Sequence, residues 1–357
     1  MDAGTLKLLI LALISFFTVF FLLPRFFRIA VRSGFVDQPG GRKGHERRVP
    51  PIGGLLIFPV FMILAMAGGA GFKENWPLFC ALVLILATGV LDDRLDIKAS
   101  LKFAIQFIAA LLIVLPGGAL IISLGNFIGT GPLYLGWMAV PFTIVCVMLL
   151  INAINMIDGL DGLAGGLGLI ALFWLAASSL QAGESKYLEE IALLMGALGG
   201  FLYSNMRTPL NKKAKVFLGD SGSMALGLVL SWYCINMSQI PNQSLAPVSV
   251  SWIVALPVID AFALFIVRLS SGRHPFSADN LHFHHHFINA GYPVEKTTLL
   301  ILLIGFIMGL AGVCGHLLEL PDYYLAAGWV LLLVVHTVIT INSGRFIDFL
   351  AKFSTIR

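Results

Sequence analysis

The chain has 357 residues, of which 58% are hydrophobic and only 12% charged, about half the charged share of a water-soluble domain. Its net charge of +4 is not gathered into a basic tail or an aromatic-interleaved basic stripe, which argues against nucleic acid as a partner. A chain so apolar has to satisfy its backbone in hydrocarbon, and the apolar runs are too long for barrel strands, so helices remain.

In chain order, apolar runs of spanning length fall near 5–23, 52–70, 77–91, 101–118, 136–151, 161–180, 188–204, 217–236, 249–269, 298–316 and 322–343. The expected fold is an all-α polytopic membrane protein of about 11 transmembrane helices, one integral-membrane domain over residues 1–357. The first run is longer than a signal-peptide core and leads directly into Pro24 and basic residues, so it reads as a retained span. Twenty of the 23 Lys and Arg residues fall on the side that holds the first loop and the C-terminus, leaving Lys7, Lys73 and Lys186 on the other. By the positive-inside rule the N-terminus is periplasmic and the C-terminus cytoplasmic. The cytoplasmic loops then lie at about 24–51, 92–100, 152–160, 205–216 and 270–297. The four cysteines sit far apart inside apolar runs, without zinc spacing, and read as packing.

Chemistry gathers at the cytoplasmic span ends. The third run ends in Asp92-Asp93-Arg94-Leu95-Asp96. Adjacent carboxylates repel unless a cation separates them or one keeps a proton, so this is either a solvated loop or a Mg²⁺ or general-base site. The connection Asn152 to Gly162 contains Asn155, Asp158 and Asp161 and no basic residue. A cap on the next helix explains Asp158 alone but not the second aspartate. Gly219-Asp220-Ser221-Gly222-Ser223 opens the eighth run; a carboxylate among small residues suits a hard cation beside phosphate oxygens, or else caps the helix. No nucleotide-binding P-loop is present. In the last large loop, five of the eight histidines fall within 13 residues, beside Arg273. Without interleaved Cys or Glu the loop favours phosphate contact over a transition metal. Asp260 stands apart, well inside an apolar run, and is read as a support beneath the histidine loop.

Carboxylates for Mg²⁺ together with cations for phosphate oxygens supply what phosphoryl transfer needs, which is positioning and charge neutralisation. From about Arg42 to Gly291 the chain resembles the polyprenyl-phosphate N-acetylhexosamine-1-phosphate transferases, a family that includes the phospho-N-acetylmuramoyl-pentapeptide transferase. Asp92-Asp93, Asn155-x-x-Asp158-Gly-Leu-Asp161-Gly, Gly219-Asp220-Ser221-Gly222-Ser223 and His282-x-His284-His285 stand in the family's order. The resemblance implies Asp220 as the principal metal ligand with Asp93 as helper, for Mg²⁺ with Mn²⁺ as substitute. It implies Asp92 as the group that prepares the lipid phosphate, with Asp93, Asp158 and Asp161 also in the catalytic set. Asn155, Asp158, Asp161 and Asn205 would line the nucleotide-sugar site, and Lys102 matches a family lysine near the aspartate pair. His284 and His285 would contact the diphosphate, alongside His282 and Arg273, and His45, Arg47 and Arg48 would face the lipid phosphate. The implied partners are undecaprenyl phosphate, a UDP-N-acetylhexosamine and membrane lipid, in a bacterial inner membrane, with a homodimer left open.

Pro275-Phe276-Ser277-Ala278-Asp279 and Asp96 are similar to the branch that uses UDP-N-acetylglucosamine, whereas His286-Phe287 is more like the muramoyl-pentapeptide branch. An ion-coupled transporter would instead place its acids near span midplanes, and here only Asp260 is so placed.

Overall fold

The structure is a computed structural model that describes residues 3–37, 49–68, 72–95, 97–209, 211–274 and 280–354. It is all-helical; among the described residues the only β-type pairings are isolated bridges such as Ser123 with Tyr134. The helices are α1 (Ala3–Arg32), α2 (Gly53–Ala67), α3 (Phe72–Leu95), α4 (Ala99–Val114), α5 (Ala139–Ile157), α6 (Leu163–Ala182) and α7 (Leu188–Asn205). They continue with α8 (Gly219–Asn236), α9 (Pro247–Ile253), α10 (Ala255–Ser270), α11 (Phe283–Asn289), α12 (Val294–Leu317), α13 (Asp322–Ile341) and α14 (Ser343–Ser354).

Each apolar run of the sequence falls on a helix, with four departures. Pro24 does not end α1, which continues to Arg32; proline is tolerated in apolar helices where neighbours re-satisfy the freed backbone groups. The ninth run is broken at Val254 into α9 and α10, which meet at 82°. The histidine segment is not all loop, because Phe283–Asn289 is helical. Finally, α14 extends beyond the last predicted element, with Phe346, Phe349, Leu350 and Phe353 recurring at helical spacing. Five helices are long and apolar enough to cross a membrane by themselves: α1, α5 with its preceding 3₁₀ turn, α6, α12 and α13. The bent α9–α10 pair makes a sixth. The architecture is multi-pass on these helices alone, and the count of 11 crossings goes beyond what length and composition establish.

The core is organised around α8. Every residue from Ser221 to Ile235 is buried, so the helix has no solvent or lipid face, and α2, α3, α5 and α6 pack around it. Its Gly219, Ser221, Gly222, Ser223, Ala225 and Gly227 let neighbouring backbones come close, which substitutes for hydrophobic drive inside a membrane. The tightest approach is that of α3, where a Cβ on Gly89 would stand 2.1 Å from Ser221 Cα. That contact brings the C-terminal turn of α3 beside the first turn of α8. Away from this end, the buried Glu190 accepts hydrogen bonds from Asn75 Nδ2 and Tyr233 OH, both at 2.9 Å.

Candidate active site

Four helix ends converge where α3 meets α8. Asp92 and Asp93 come from the last turn of α3, Lys102 from the first turn of α4, Asn155 from the last turn of α5, and Asp220 from the first turn of α8. Lys102 Nζ contacts the Asp92 carboxylate and stands 3.6 Å from Asp220 Oδ2. Asn155 Nδ2 donates to Asp220 Oδ1 at 2.8 Å and to Ser223 Oγ at 2.9 Å. The backbone N–H of Asp220 donates to Asp93 Oδ1 at 3.2 Å. The five predicted residues Asp92, Asp93, Lys102, Asn155 and Asp220 are therefore one cluster, which Ser223 completes.

Exposure separates the roles within the cluster. The Asp220 side chain is 38% exposed and that of Asp92 only 5%, so Asp220 is the carboxylate that a bound ligand meets. Asp92, just past the apolar run of α3, has its pKa pushed from 3.8 up to about 6. Burial is the largest cause and the neighbouring Asp220 carboxyl adds to it, while Lys102 opposes both without prevailing.

A second tier is hung from the connection between α5 and α6. Asp158 takes the C-cap position of α5, not a cap on the next helix, whose N-cap position is Gly162. Asp161 is ion-paired to Arg207 Nε at 2.6 Å, and its carbonyl accepts from Thr298 Oγ1 at 3.2 Å. Asn205 is a clamp: its Oδ1 accepts the N–H of Gly162 and its Nδ2 donates to the carbonyl of Val216, both at 2.8 Å. Both ends of its amide are thus occupied by backbone.

Gly159 joins this tier to the histidines, since a Cβ there would stand 2.4 Å from His284 Nε2. His284 is 2% exposed and its ring lies 4.1 Å from that of His285, centroid to centroid. Burial first, then the neighbouring His285, holds the pKa of His284 down to about 3; burial likewise lowers His286 to about 4. Both rings are neutral at pH 7 and offer hydrogen bonds instead of charge. His282 Nδ1 meets Asp260 Oδ2 at 3.0 Å, which puts Asp260 under the histidine segment as its position in the sequence suggests. Arg273 is exposed beyond the end of α10, and no contact among the described residues joins it to the cluster. His45, Arg47, Arg48, Asp96 and the 275–279 stretch lie outside the described residues.

Three residues around the site escaped the sequence reading. Arg207 counts there only as one more loop cation. Gln106 and Asn152 form a reciprocal amide pair, with Asn152 Nδ2 donating at 2.7 Å, one turn inward from Lys102 and Asn155. Their signal was spacing, four residues after Lys102 and three before Asn155, in otherwise apolar helices.

Among the described residues, no three His, Cys, Asp or Glu side chains form a ready cage for a metal ion. Mg²⁺ does not need such a cage, since it binds through one or two carboxylates plus substrate phosphates. The hard oxygen donors of Asp220 and Asp93, with the Lys102 ammonium already among these carboxylates, fit such an ion.

Residues 75–238 match the profile described as glycosyl transferase family 4. Over 332 residues the chain is 31% identical to the undecaprenyl-phosphate alpha-N-acetylglucosaminyl 1-phosphate transferase of Pasteurella multocida, covering 93% of this chain and 92% of the relative. The protein of the same name from Haemophilus influenzae is 30% identical, with 87% and 88% covered. A probable undecaprenyl-phosphate N-acetylglucosaminyl 1-phosphate transferase of Bacillus subtilis is 31% identical, with 88% and 86% covered.

Proposed function

Because the chain belongs to glycosyl transferase family 4, we propose that it transfers N-acetylglucosamine 1-phosphate from UDP-N-acetylglucosamine to undecaprenyl phosphate. UMP is released, and the product is a polyprenyl-diphosphate-linked sugar that starts a cell-surface glycan. The observation that carries this reading is the closure of Asp92, Asp93, Lys102, Asn155 and Asp220 on one another at a single end of the helix bundle.

In the reaction a phosphate oxygen of the lipid attacks the β-phosphorus of the sugar nucleotide. The bond from that phosphorus to the bridging oxygen breaks, and the bridging oxygen leaves with UMP. One phosphoanhydride replaces another, so the step is near energy-neutral. Asp92, with its pKa near neutrality, is matched to take the proton of the lipid phosphate; a base is most effective when its pKa lies close to the working pH. Lys102, already against the Asp92 carboxylate, offsets the charge of the attacking phosphate. Asn155 fixes the Asp220 carboxylate through Nδ2 and keeps its open face toward the diphosphate. His284, seated against Gly159, provides a neutral hydrogen bond to the diphosphate with His285 beside it, and the α5–α6 connection carries the nucleotide-sugar contacts through Asp158 and Asp161. Mg²⁺, or Mn²⁺ in its place, would be held by Asp220 with Asp93 and would neutralise diphosphate oxygens. The reading also places the cluster at the cytoplasmic face of a bacterial inner membrane, with the N-terminus periplasmic.

The test is to incubate purified protein with Mg²⁺, undecaprenyl phosphate and, separately, radiolabelled UDP-N-acetylglucosamine or UDP-N-acetylmuramoyl-pentapeptide. Lipid-extractable label from the first, abolished by EDTA and by Asp220→Ala, is the expected result. Label from the second alone would move the enzyme to the other branch. Label from neither would sink the reading.

A further inference from the structure

The four motifs do not account for Asp260. It lies inside α10, 22 residues before the histidine motif, and is 2% exposed. A carboxylate so buried persists only where donors surround it. Three do: His282 Nδ1 at 3.0 Å on Oδ2, and the N–H of Phe283 and His336 Nε2, each at 3.0 Å, on Oδ1. His336 comes from α13, which carries none of the motifs and lies outside residues 75–238. Its ring also meets the edge of Phe283, centroids 5.1 Å apart at 71°. Three elements thus close on one carboxylate: α10 supplies the acid, α13 supplies His336, and the start of α11 supplies His282 and the N–H of Phe283.

An ionised carboxylate only accepts hydrogen bonds, so the ring nitrogens that face it carry the protons. For His282 a proton is then on Nδ1, and in the neutral ring Nε2, on the opposite edge, keeps its lone pair. A histidine whose second nitrogen is anchored on a carboxylate has its ring orientation and tautomer fixed, which is how outer partners act on histidines that bind ligands. His282 stacks on His284, with centroids 5.6 Å apart and planes 15° from parallel, so its orientation is passed to the ring seated against Gly159.

We propose that Asp260 and His336 are positioning residues for the transfer reaction, which fix His282 as its Nδ1–H tautomer and present Nε2 as an acceptor for a hydroxyl of the bound sugar nucleotide. The assignment rests on the sugar-phosphate transfer proposed above. Asp260 holds the proton on Nδ1, and His336 helps to hold Asp260: without the α13 donor, Oδ1 keeps a single backbone partner and the carboxylate is less firmly fixed.

Two measurements test it. In steady-state assays, His336→Leu is expected to lower kcat/KM for the sugar nucleotide on the order of tenfold, the usual effect of losing an outer partner of a ligand-binding histidine. The KM for undecaprenyl phosphate is expected to stay unchanged. His336→Gln, which places an N–H near the position of Nε2, is expected to act like the wild type. In a His282→Ala background, His336→Leu is expected to cost nothing further. An equal loss in both backgrounds, a parallel rise in the KM of both substrates, or no loss at all would each overturn the proposal. Independently of turnover, the ¹⁵N shifts of histidine-labelled protein read the tautomer directly. His282 is expected protonated at Nδ1 in the wild type and at Nε2 in Asp260→Asn, whose amide cannot accept from both histidines. A wild-type His282 protonated at Nε2 overturns the assignment even if the protein transfers no sugar phosphate, an outcome that would sink the reaction itself separately.

Discussion

At Asp92 two opposing influences meet, and their balance is open to measurement. Burial and the Asp220 carboxyl raise its pKa to about 6, while Lys102 pulls the other way. The carboxylate form, the one that can take a proton, is therefore present above about pH 6 and lost below it. The rate of transfer is expected to fall as pH drops through about 6. Lys102→Met removes the lowering influence and is expected to move that limb to higher pH; an unmoved limb would separate Asp92 from the titration. Gly159 gives a second expectation at the same scale. A Cβ there enters the space of the His284 ring, which is buried and has nowhere to retreat. Gly159→Ala is expected to cost on the order of 1–3 kcal/mol, the usual range for overpacking, read as a lowered melting temperature in detergent. Adding His284→Ala removes the ring and is expected to restore that temperature. If it does not, the contact is not what holds the α5–α6 connection.

Between helices, polar pairs and close approaches set the geometry that the reacting groups inherit. Gln106 on α4 and Asn152 on α5 exchange hydrogen bonds one turn inward from Lys102 and Asn155, which reach the Asp220 carboxylate from those same helices. Side-chain hydrogen bonds between membrane helices are worth about 0.6 kcal/mol on average, because a lone polar group often finds another partner. Gln106→Leu is accordingly expected to destabilise by about 1 kcal/mol, since it also removes the donor to Asn152 Oδ1, while Asn152 Nδ2 keeps the Met148 carbonyl. Asn152→Leu in addition is expected to cost less than it does alone. Additive losses in thermal unfolding would show that the two amides do not act as a pair. Apolar runs located the helices well, since hydropathy responds to burial in any apolar surroundings. They gave no sign of the break at Val254, because that break carries no glycine and proline occurs in unbroken helices of this chain too. α14 lies beyond the last predicted run because half its surface is polar.

For the molecule as a whole, the distribution of charge makes the sharpest statement. Lys186, in the turn between α6 and α7, and Lys213, between α7 and α8, are both exposed and stand at opposite ends of α7. With the four native cysteines replaced, Lys186→Cys is expected to react with an impermeant maleimide in intact cells, and Lys213→Cys only after permeabilisation. The reverse pattern would turn the protein over and put the carboxylate cluster on the wrong side for a cytoplasmic sugar nucleotide. The two acids set into apolar helices, Asp260 and Glu190, are each met by donors from other helices.

What the sequence determined by itself was the solvent, the helices and the inventory of reacting groups. Hydropathy is a property of composition, and the four motifs keep their chemistry wherever the chain takes them. Asp92, Asp93, Lys102, Asn155 and Asp220 were legible as candidates because acids and amides are conspicuous at the ends of apolar runs. Only the tertiary structure decided which of them touch. Their convergence depends on a backbone approach at Gly89 between helices some 130 residues apart, and spacing within one helix carries no information about that. It also decided that Asn205 is spent on backbone, that Asp161 is paired with Arg207, and that His336 reaches Asp260 across 76 residues. A lone histidine in an apolar helix reads as packing until the carboxylate opposite it is seen.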